Sequence, residues 1–266
     1  MHPIIHLPFN FPVYSYNVFF LMGVYVGVFV FYLEVKRRKW DIENLMFAMS
    51  GCFVGATTGS LLFNTLLFGS DDTLKKIFDF DISGMSVLGG ILGGFLGVEI
   101  FKIIIGHNES TGDAFAVAIP IGHLVGRIGC LLGGCCYGSH TSLPWAIQYP
   151  QDSFPYIIQR HSNIISADAL TSLPVHPIPI YEIIFNTILF ISILKIKDRF
   201  KTSGALFRFY IISYCIFRFF EEFLRADTGT PLVLNLKVVQ FNLLISIILI
   251  LIWFYRNEYK RIEPIS

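Results

Sequence analysis

Residues 114–132 have the sequence AFAVAIPIGHLVGRIGCLL, which is apolar except for His123 and Arg127. A helix needs about 20 mostly apolar residues to cross the roughly 30 Å of hydrocarbon in a bilayer. Polar and apolar positions do not alternate along this run, as they would in a strand of a membrane β-barrel. We therefore predict a membrane-spanning helix that carries two strongly polar side chains.

Six other segments have the length and composition of a spanning helix: residues 17–35, 45–68, 84–106, 178–196, 204–224 and 236–254. In the whole chain of 266 residues, 54% are hydrophobic, only 15% are charged, and the mean hydropathy is +0.62. A soluble domain of this size would need more charge on its surface. The sequence predicts an all-α integral membrane protein with about seven transmembrane helices, in a single transmembrane domain over residues 1–266.

The basic residues predict the orientation of these helices. With the N-terminus outside, the inner connections and the C-terminal tail contain twelve lysines and arginines, and the outer connections contain five. Basic residues favour the cytoplasmic side, so we expect the N-terminus outside and the C-terminus in the cytoplasm. The start of the chain lacks the pattern of a cleavable signal peptide, and the first helix is expected to direct insertion. The long connection at residues 133–177 is predicted to form a small extracytoplasmic cap.

Glycines recur at close-packing positions on the second and third predicted helices. They are Gly51, Gly55 and Gly59 on the second helix, and Gly89, Gly90, Gly93, Gly94 and Gly97 on the third. Small residues allow two helix backbones to approach closely within a membrane. These positions predict helix–helix contacts.

Ionisable side chains inside a membrane helix each cost about 2.5–3.5 kcal/mol on insertion scales, so each needs a physical reason. Tyr214, Arg218 and Glu222 follow one another at intervals of four and share one face of a helix. His123 and Arg127 have the same spacing. At a rise of about 1.5 Å per residue, Arg127 and Arg218 are expected at a similar depth in the outer half of the bilayer.

Two guanidinium groups at one depth repel each other unless an anion lies between them. Glu222 is expected to neutralise one, and a phospholipid phosphate the other, because the planar guanidinium binds phosphate oxygens in pairs. The alternative is a set of structural Arg–Glu ion pairs that hold the helices together without a lipid.

These residues lie in segments that resemble the prolipoprotein diacylglyceryl transferases of bacteria. The matching segments, in order, are SYNVFFLMG at 15–23, GMSVLGGILG at 84–93, PIGHLVGRIGCLLGGCCYG at 120–138, HPIPIYE at 176–182 and YCIFRFFEEFLRAD at 214–227. Members of that family have seven helices with the N-terminus outside. They transfer the diacylglyceryl group of phosphatidylglycerol to the cysteine thiol of a prolipoprotein, which forms a thioether and releases glycerol phosphate.

The resemblance implies a transferase of the bacterial cytoplasmic membrane. It implies phosphatidylglycerol and a prolipoprotein lipobox peptide as partners, and no cofactor. The net charge of +1 and the dispersed basic residues give no indication of a nucleic-acid partner.

The resemblance also implies the site residues. Catalytic roles are expected for Arg127, Arg218, Tyr214 and Glu222. Substrate-binding roles are expected for Tyr16, Gly89, Gly90, Cys130, Cys135, Gly138, Tyr181 and Arg225.

Three positions depart from the family pattern. Leu88 stands where the family has a histidine that is a candidate base, Cys130 replaces an asparagine, and Cys135 replaces an acidic residue. His123 lies one helical turn before Arg127 and becomes a candidate base, although a lone histidine on a membrane helix is often structural. The spacing of Cys130, Cys135 and Cys136 is not a zinc pattern, so no metal site is predicted.

Three alternatives remain open from the sequence. The first is a member of the same family with another acceptor. The second is a lipid-binding or transport protein that kept the arginines and lost the chemistry. The third is a thiol-based redox or metal protein on the same scaffold. The competing interpretation is that the cysteines are ordinary small apolar residues.

Overall fold

The computed structural model describes residues 4–7, 11–68, 87–106, 111–226 except 152, 167 and 201, and 236–252 except 246, 249 and 250. The helices are α1 (Ser15–Arg37), α2 (Ile42–Phe68), α3 (Val87–Ile105), α4 (Gly112–Gly133), α5 (Phe154–His161), α6 (Ile178–Ile196) and α7 (Ala205–Glu221). Short 3-10 turns, Lys197–Arg199 and Glu222–Leu224, follow α6 and α7. Residues 238–245, 247–248 and 251–252 are also helical.

Four of the described helical stretches are long and apolar enough to cross a membrane: Ser15–Arg37, Ile42–Leu62, Gly112–Gly133 and Ile178–Arg199. This composition fits the predicted all-α membrane class. The number of seven spans stays a prediction, because parts of the segments predicted at 84–106 and 236–254 lie outside the described residues. The helix predicted at 204–224 is α7, which ends at Glu221 because its last three residues tighten into a 3-10 turn.

A β-hairpin precedes α1, and the sequence analysis did not predict it. Strand β1 (Ile4–Leu7) pairs antiparallel with β2 (Phe11–Tyr14), so that Ile4 lies opposite Tyr14. Each strand has only four residues, too few for a clear periodic signal in the sequence.

The contacts divide the chain into two compact units, and the division falls within α1. The larger unit contains residues 1–31 and 111–266, and the smaller unit contains residues 32–110. The prediction of a single transmembrane domain concerns the arrangement of these units, and it stays a prediction.

In the larger unit, α4, α6 and α7 pack around one apolar core. Its buried side chains are Ala116, Val117, Leu189, Ile193, Leu206 and Tyr210. Helix α1 contacts α4 through glycine: a Cβ atom at Gly23 would lie 2.6 Å from the carbonyl oxygen of Gly122. Only glycine permits this approach, so the first helix is held against the helix that carries His123 and Arg127.

Asp113 holds the start of α7 against α4. Its buried carboxylate accepts hydrogen bonds from the backbone N–H groups of Gly204 (2.9 Å) and Phe207 (3.1 Å). N–H groups in the first turn of a helix have no partner within the helix, and the positive end of the helix dipole favours an anion there. The contact fixes the N-terminus of the helix whose far end carries Arg218.

In the smaller unit, glycines bring the backbones of α2 and α3 together. A Cβ atom at Gly93 would lie 2.8 Å from the Cα atom of Gly59, and one at Gly59 would lie 2.7 Å from the Cα atom of Gly93. The glycines therefore lie at a helix–helix contact, as predicted, and the structure shows that α2 and α3 are partners in it.

This contact predicts unequal effects of two alanine substitutions on α3. Gly93→Ala places a methyl group against backbone atoms that cannot move aside, so it should lower the free energy of unfolding by about 1–3 kcal/mol. Gly90→Ala is the matched control, because its Cβ atom would lie 3.6 Å from the oxygen of Ala56, an ordinary contact. The measurement is unfolding of purified protein in mixed micelles; equal effects of the two substitutions would contradict the packing.

Candidate functional site

Three arginines and three glutamates gather around the C-terminal part of α4, the start of α6 and the end of α7. We call these six residues the ionic centre: Arg127, Arg218, Arg225, Glu182, Glu221 and Glu222. Glu182 and Glu222 are completely buried, and Glu221 and Arg225 are nearly so. Buried charges need partners, so the geometry of each pair matters.

Glu182 is the common partner of three side chains. One carboxylate oxygen forms an ion pair with Nε of Arg127 and lies 3.1 Å from Nε2 of His123. The other oxygen lies 3.6 Å from a terminal nitrogen of Arg225. Neither oxygen accepts a well-aligned hydrogen bond from a described residue. The carboxylate is therefore held mainly by charge, between α4 and the segment that follows α7.

Arg218 lies between the two carboxylates at the end of its own helix. Its NH1 atom is 3.2 Å from Oε2 of Glu221 and 2.6 Å from Oε2 of Glu222. Lys237 joins the same region: its Nζ donates to the carbonyl oxygens of Glu222 (3.1 Å) and Arg225 (2.8 Å). The end of α7 is thereby tied to the helical segment that begins at residue 238.

The two arginines expected to face one headgroup each have a carboxylate partner of their own. Arg127 pairs with Glu182, and Arg218 pairs with Glu221 and Glu222. Tyr214 is buried within electrostatic range of both guanidinium groups. The predicted alternative of Arg–Glu pairs thus describes the nearest contacts of each arginine, while 12% of each arginine side chain stays exposed.

His123 and Tyr214 meet beside Arg127. The ring of His123 packs edge-on against Tyr214, with the ring centroids 5.6 Å apart. Its Nε2 atom lies 3.1 Å from Nε of Arg127. The structure therefore brings together four of the predicted site residues, His123, Arg127, Tyr214 and Arg218, around one carboxylate, Glu182.

Tyr181, at the start of α6, contacts residues of the connection at 134–177. Its hydroxyl oxygen accepts a hydrogen bond from Nε1 of Trp145 (2.8 Å) and lies 3.1 Å from Nδ1 of His176. An apolar cavity of about 260 Å³ adjoins it, and the lining residues are Tyr181, Phe217, Phe220, Glu221 and Leu224. The cavity therefore reaches a carboxylate of the ionic centre.

A second cavity of about 510 Å³ brings Tyr16 and Cys135 together. Its walls include Tyr16, Asn17, Leu132, Gly134, Cys135 and Phe154. Two predicted substrate-binding residues thus share one opening, between the start of α1 and the end of α4.

Gly138 allows two chain segments to meet close to the ionic centre. Its N–H donates to the carbonyl oxygen of His176 (2.9 Å), and it forms an antiparallel bridge with Arg225. A Cβ atom at Gly138 would lie 2.6 Å from the carbonyl oxygen of Leu224. The glycine thus permits the close approach that places Arg225 near Glu182.

Three thiols converge at the C-terminal end of α4, which the sequence spacing did not predict. The sulfur atoms of Cys130, Cys135 and Cys136 all lie within 4.8 Å of one another. NH1 of Arg127 lies 3.4 Å from Sγ of Cys136 and 3.7 Å from Sγ of Cys130. We call these residues the three-thiol cluster.

Hydrogen bonds from the other two thiols, and then the positive charge of Arg127, hold the pKa of the Cys136 thiol well below its usual range. Hydrogen bonds with Cys130 and Cys136 raise the pKa of the Cys135 thiol. Of these two thiols, Cys136 therefore loses its proton more readily. The thiolate is the form of cysteine that reacts with electrophiles and binds metals.

Gly89 and Gly90 lie on α3 in the smaller unit. There the carbonyl oxygen of Gly89 approaches Gly59 of α2, and Gly90 faces Ala56. The side chain of Leu88 lies outside the described residues. The substrate-binding role of the two glycines stays a prediction.

Glu182 and Lys237 belong to the site, and the sequence analysis did not select them. Glu182 lies in a segment that resembles the family and inside a predicted spanning helix. The free-energy cost of inserting its charge into a membrane indicated that it has a partner. Lys237 had no such signal, because it lies at the edge of a predicted helix where a lysine is ordinary.

Comparisons with known proteins give the same family over nearly the whole chain. A family model described as prolipoprotein diacylglyceryl transferase matches residues 3–256. A phosphatidylglycerol–prolipoprotein diacylglyceryl transferase of Clostridium tetani is 26% identical over 98% of this chain and 100% of its own length. One from Photorhabdus laumondii is 27% identical over 94% of this chain and 91% of its own, and a second transferase of Clostridium perfringens is 29% identical over 82% and 81%.

The ionic centre predicts a large effect on stability when Glu182 is removed. Glu182→Ala leaves Arg127 and Arg225 as buried cations, which should cost about 3–5 kcal/mol of the free energy of unfolding. Glu99→Ala is the control: Glu99 pairs with Lys102 at 3.0 Å but is 42% exposed, so its loss should cost at most about 1 kcal/mol. Unfolding in mixed micelles measures both, and a small effect at Glu182 would show that its charge is not buried.

Proposed function

The chain belongs to the prolipoprotein diacylglyceryl transferase family, and we propose that it transfers the diacylglyceryl group of phosphatidylglycerol to the cysteine thiol of a prolipoprotein. The relatives that align with nearly the whole chain are named for this donor and acceptor. In the reaction, the thiol sulfur bonds to the glycerol carbon that carries the phosphate. The bond between that carbon and the phosphate oxygen breaks, and glycerol phosphate leaves with the electron pair.

The observation that carries the proposal is that Arg127 and Arg218 keep donors for an anion. Among the described residues, Arg218 contacts carboxylates only through NH1, and Arg127 uses Nε and NH1. A guanidinium group has five N–H donors in a fixed plane. Arg218 thus keeps its Nε–NH2 edge, which suits a pair of phosphodiester oxygens, and Arg127 keeps NH2 as a further donor.

The carboxylates give these arginines a fixed orientation. Glu182 and Glu222 are fully buried, so each holds its arginine from the interior side. The phosphate gains negative charge as its bond to carbon breaks. Cations already in position therefore stabilise the transition state more than the bound donor, which is the requirement for catalysis.

The acceptor thiol has to lose its proton, because the thiolate is the nucleophile. We assign this step to His123, whose side chain is 21% exposed and whose Nε2 lies 3.1 Å from Glu182. The carboxylate and the edge-on contact with Tyr214 fix the imidazole plane. Leu88 stands at the sequence position of the family's candidate base, so we assign that role to His123.

The two cavities suit the two substrates. The cavity beside Tyr181, Phe217 and Glu221 has mostly apolar walls and suits hydrocarbon of the lipid donor. The cavity beside Tyr16 and Cys135 opens near the start of α1, and we assign it to the acceptor peptide.

The membrane arrangement follows from the distribution of charge. We propose seven spans in one transmembrane domain, with the N-terminus outside, the C-terminus in the cytoplasm and residues 133–177 as an extracytoplasmic cap. The connection at 134–177 supports the last point, because it has a small core of its own formed by Tyr137, Tyr149 and Val175.

A family member with another acceptor is the second candidate. It is favoured by Cys130 and Cys135, which stand at polar and acidic positions of the family and meet in the three-thiol cluster. Labelled phosphatidylglycerol separates the two functions. Donor cleavage without a thioether on a lipobox peptide would identify a different acceptor.

The proposed clamp predicts a large loss of activity when either arginine is shortened. Arg127→Ala and Arg218→Ala should each lower kcat/KM by about 100- to 1000-fold, the typical loss for one preorganised donor to a developing charge. Arg218→Lys keeps the charge without the planar pair of donors and should fall in between. The assay measures thioether formation from labelled phosphatidylglycerol and a lipobox peptide in micelles.

Arg199→Ala is the control for these variants. Arg199 is exposed and lies beyond the opposite end of α6 from Glu182, so its loss should leave turnover unchanged. Folding of each variant is checked by its unfolding midpoint. Full turnover by folded Arg127→Ala or Arg218→Ala would refute the phosphate clamp.

A further inference from the structure

The three-thiol cluster has a backbone geometry that brings its sulfurs to one point. Cys130 lies in the last turn of α4, and Gly134 ends that helix with a left-handed conformation, φ 71°. Cys135 then donates its backbone N–H to the carbonyl oxygen of Cys130 (3.1 Å), and Cys136 has φ 57°. A cysteine in this region is strained, which indicates that the surrounding structure holds it there.

The sulfur separations suit a shared ion better than a disulfide. A metal–thiolate bond is about 2.3 Å long, so three sulfurs around one ion in a plane lie about 4 Å apart. The three sulfurs already lie within 4.8 Å of one another, with all of them free of disulfides. A disulfide requires a separation of about 2 Å and would leave the third thiol without a partner.

The surroundings of the three-thiol cluster suit negative charge. NH1 of Arg127 lies 3.4 Å from Sγ of Cys136 and 3.7 Å from Sγ of Cys130. Three thiolates around a monovalent ion carry two net negative charges, and a neighbouring guanidinium reduces the cost of placing them away from water.

Tyr149 provides a second, independent indication of a ligand. It is completely buried, and its hydroxyl group has no hydrogen-bond partner among the described residues. Its ring packs on Gly134, next to Cys135, and the hydroxyl lies within electrostatic range of all three sulfurs. An unpartnered buried hydroxyl is costly, and none of the three sulfurs accepts its hydrogen bond, so a further polar group beside the cluster would satisfy it.

We propose that Cys130, Cys135 and Cys136 bind one soft, thiophilic ion of the Cu(I) type in three-coordinate geometry. Soft thiolate ligands select such ions. Zinc prefers four ligands, and the described residues offer three sulfurs here. Cys135 lines the cavity of about 510 Å³, which gives an ion a route to the site.

The proposed ion shares Arg127 with the phosphate of the lipid donor. This consequence rests on the proposed function: NH1 of Arg127 points to the sulfurs, and Nε is engaged by Glu182. A charged ion–thiolate group would compete with phosphate for the same guanidinium. Bound ion should therefore lower the rate of diacylglyceryl transfer.

The test is a Cu(I) titration of the full-length protein in micelles, under reducing conditions and against a chromophoric Cu(I) chelator. We expect the protein to remove one equivalent of Cu(I) per chain from the chelator. Changing Cys130, Cys135 or Cys136 to serine should weaken binding by more than about 100-fold, the upper range for loss of a group that only supports a metal ligand.

Cys52→Ser and Cys215→Ser are matched controls, because these cysteines lie on α2 and α7, outside the three-thiol cluster. They should bind Cu(I) like the unaltered protein. X-ray absorption of the loaded protein should show three sulfur neighbours. This binding readout does not depend on turnover, so it succeeds or fails separately from the transferase assay.

Four outcomes would overturn the proposal. They are no competition with the chelator, binding that survives the cluster substitutions, tighter binding of Zn(II) than of Cu(I), and loss of two hydrogens in the mass of the protein as isolated. The last would show a disulfide, which lies within the cluster if the Cys52→Ser and Cys215→Ser variants lose the same two hydrogens.

Discussion

A carboxylate placed where water cannot reach it is the constraint on which the rest of the site depends. Glu182 has no exposed surface, and it is shared by Arg127, Arg225 and His123. A buried ion of this kind is tolerated only with opposite charge close by. The packing of α4 against α6 and the bridge between Gly138 and Arg225 bring that charge into contact.

Much of the architecture could be predicted from the sequence, because the thickness of the bilayer's hydrocarbon layer sets the length of a spanning helix. The segment predicted at 178–196 has the same bounds as α6, and α1, α2 and α4 differ from prediction by three residues or fewer. The β-hairpin before α1 was missed because four-residue strands carry little periodicity. The role of the glycines of α2 and α3 in helix contacts was predictable, since a spacing of four places residues on one face of a helix. The sequence did not indicate that these two helices contact each other.

The site was harder to predict from the sequence, because side-chain partners come from segments distant in sequence. The spacing of Arg218 and Glu222 indicated a shared helical face, and NH1 of Arg218 does lie 2.6 Å from Glu222. Nothing in the spacing of Cys130, Cys135 and Cys136 indicated convergence, which depends on left-handed backbone at Gly134 and Cys136. Lys237 donates hydrogen bonds to backbone carbonyl oxygens, and a pattern of side chains in the sequence does not predict such contacts.

The capping of α7 by Asp113 has a consequence for how the chain is made. The carboxylate lies 91 residues before the first N–H group that it binds. A ribosome has to synthesise α5 and α6 before that partner exists, so Asp113 stays dependent on water or headgroups throughout this interval. The docking of α7 is therefore a late step of biogenesis. A chain that stops short of Gly204 leaves the carboxylate of Asp113 without both of these backbone partners.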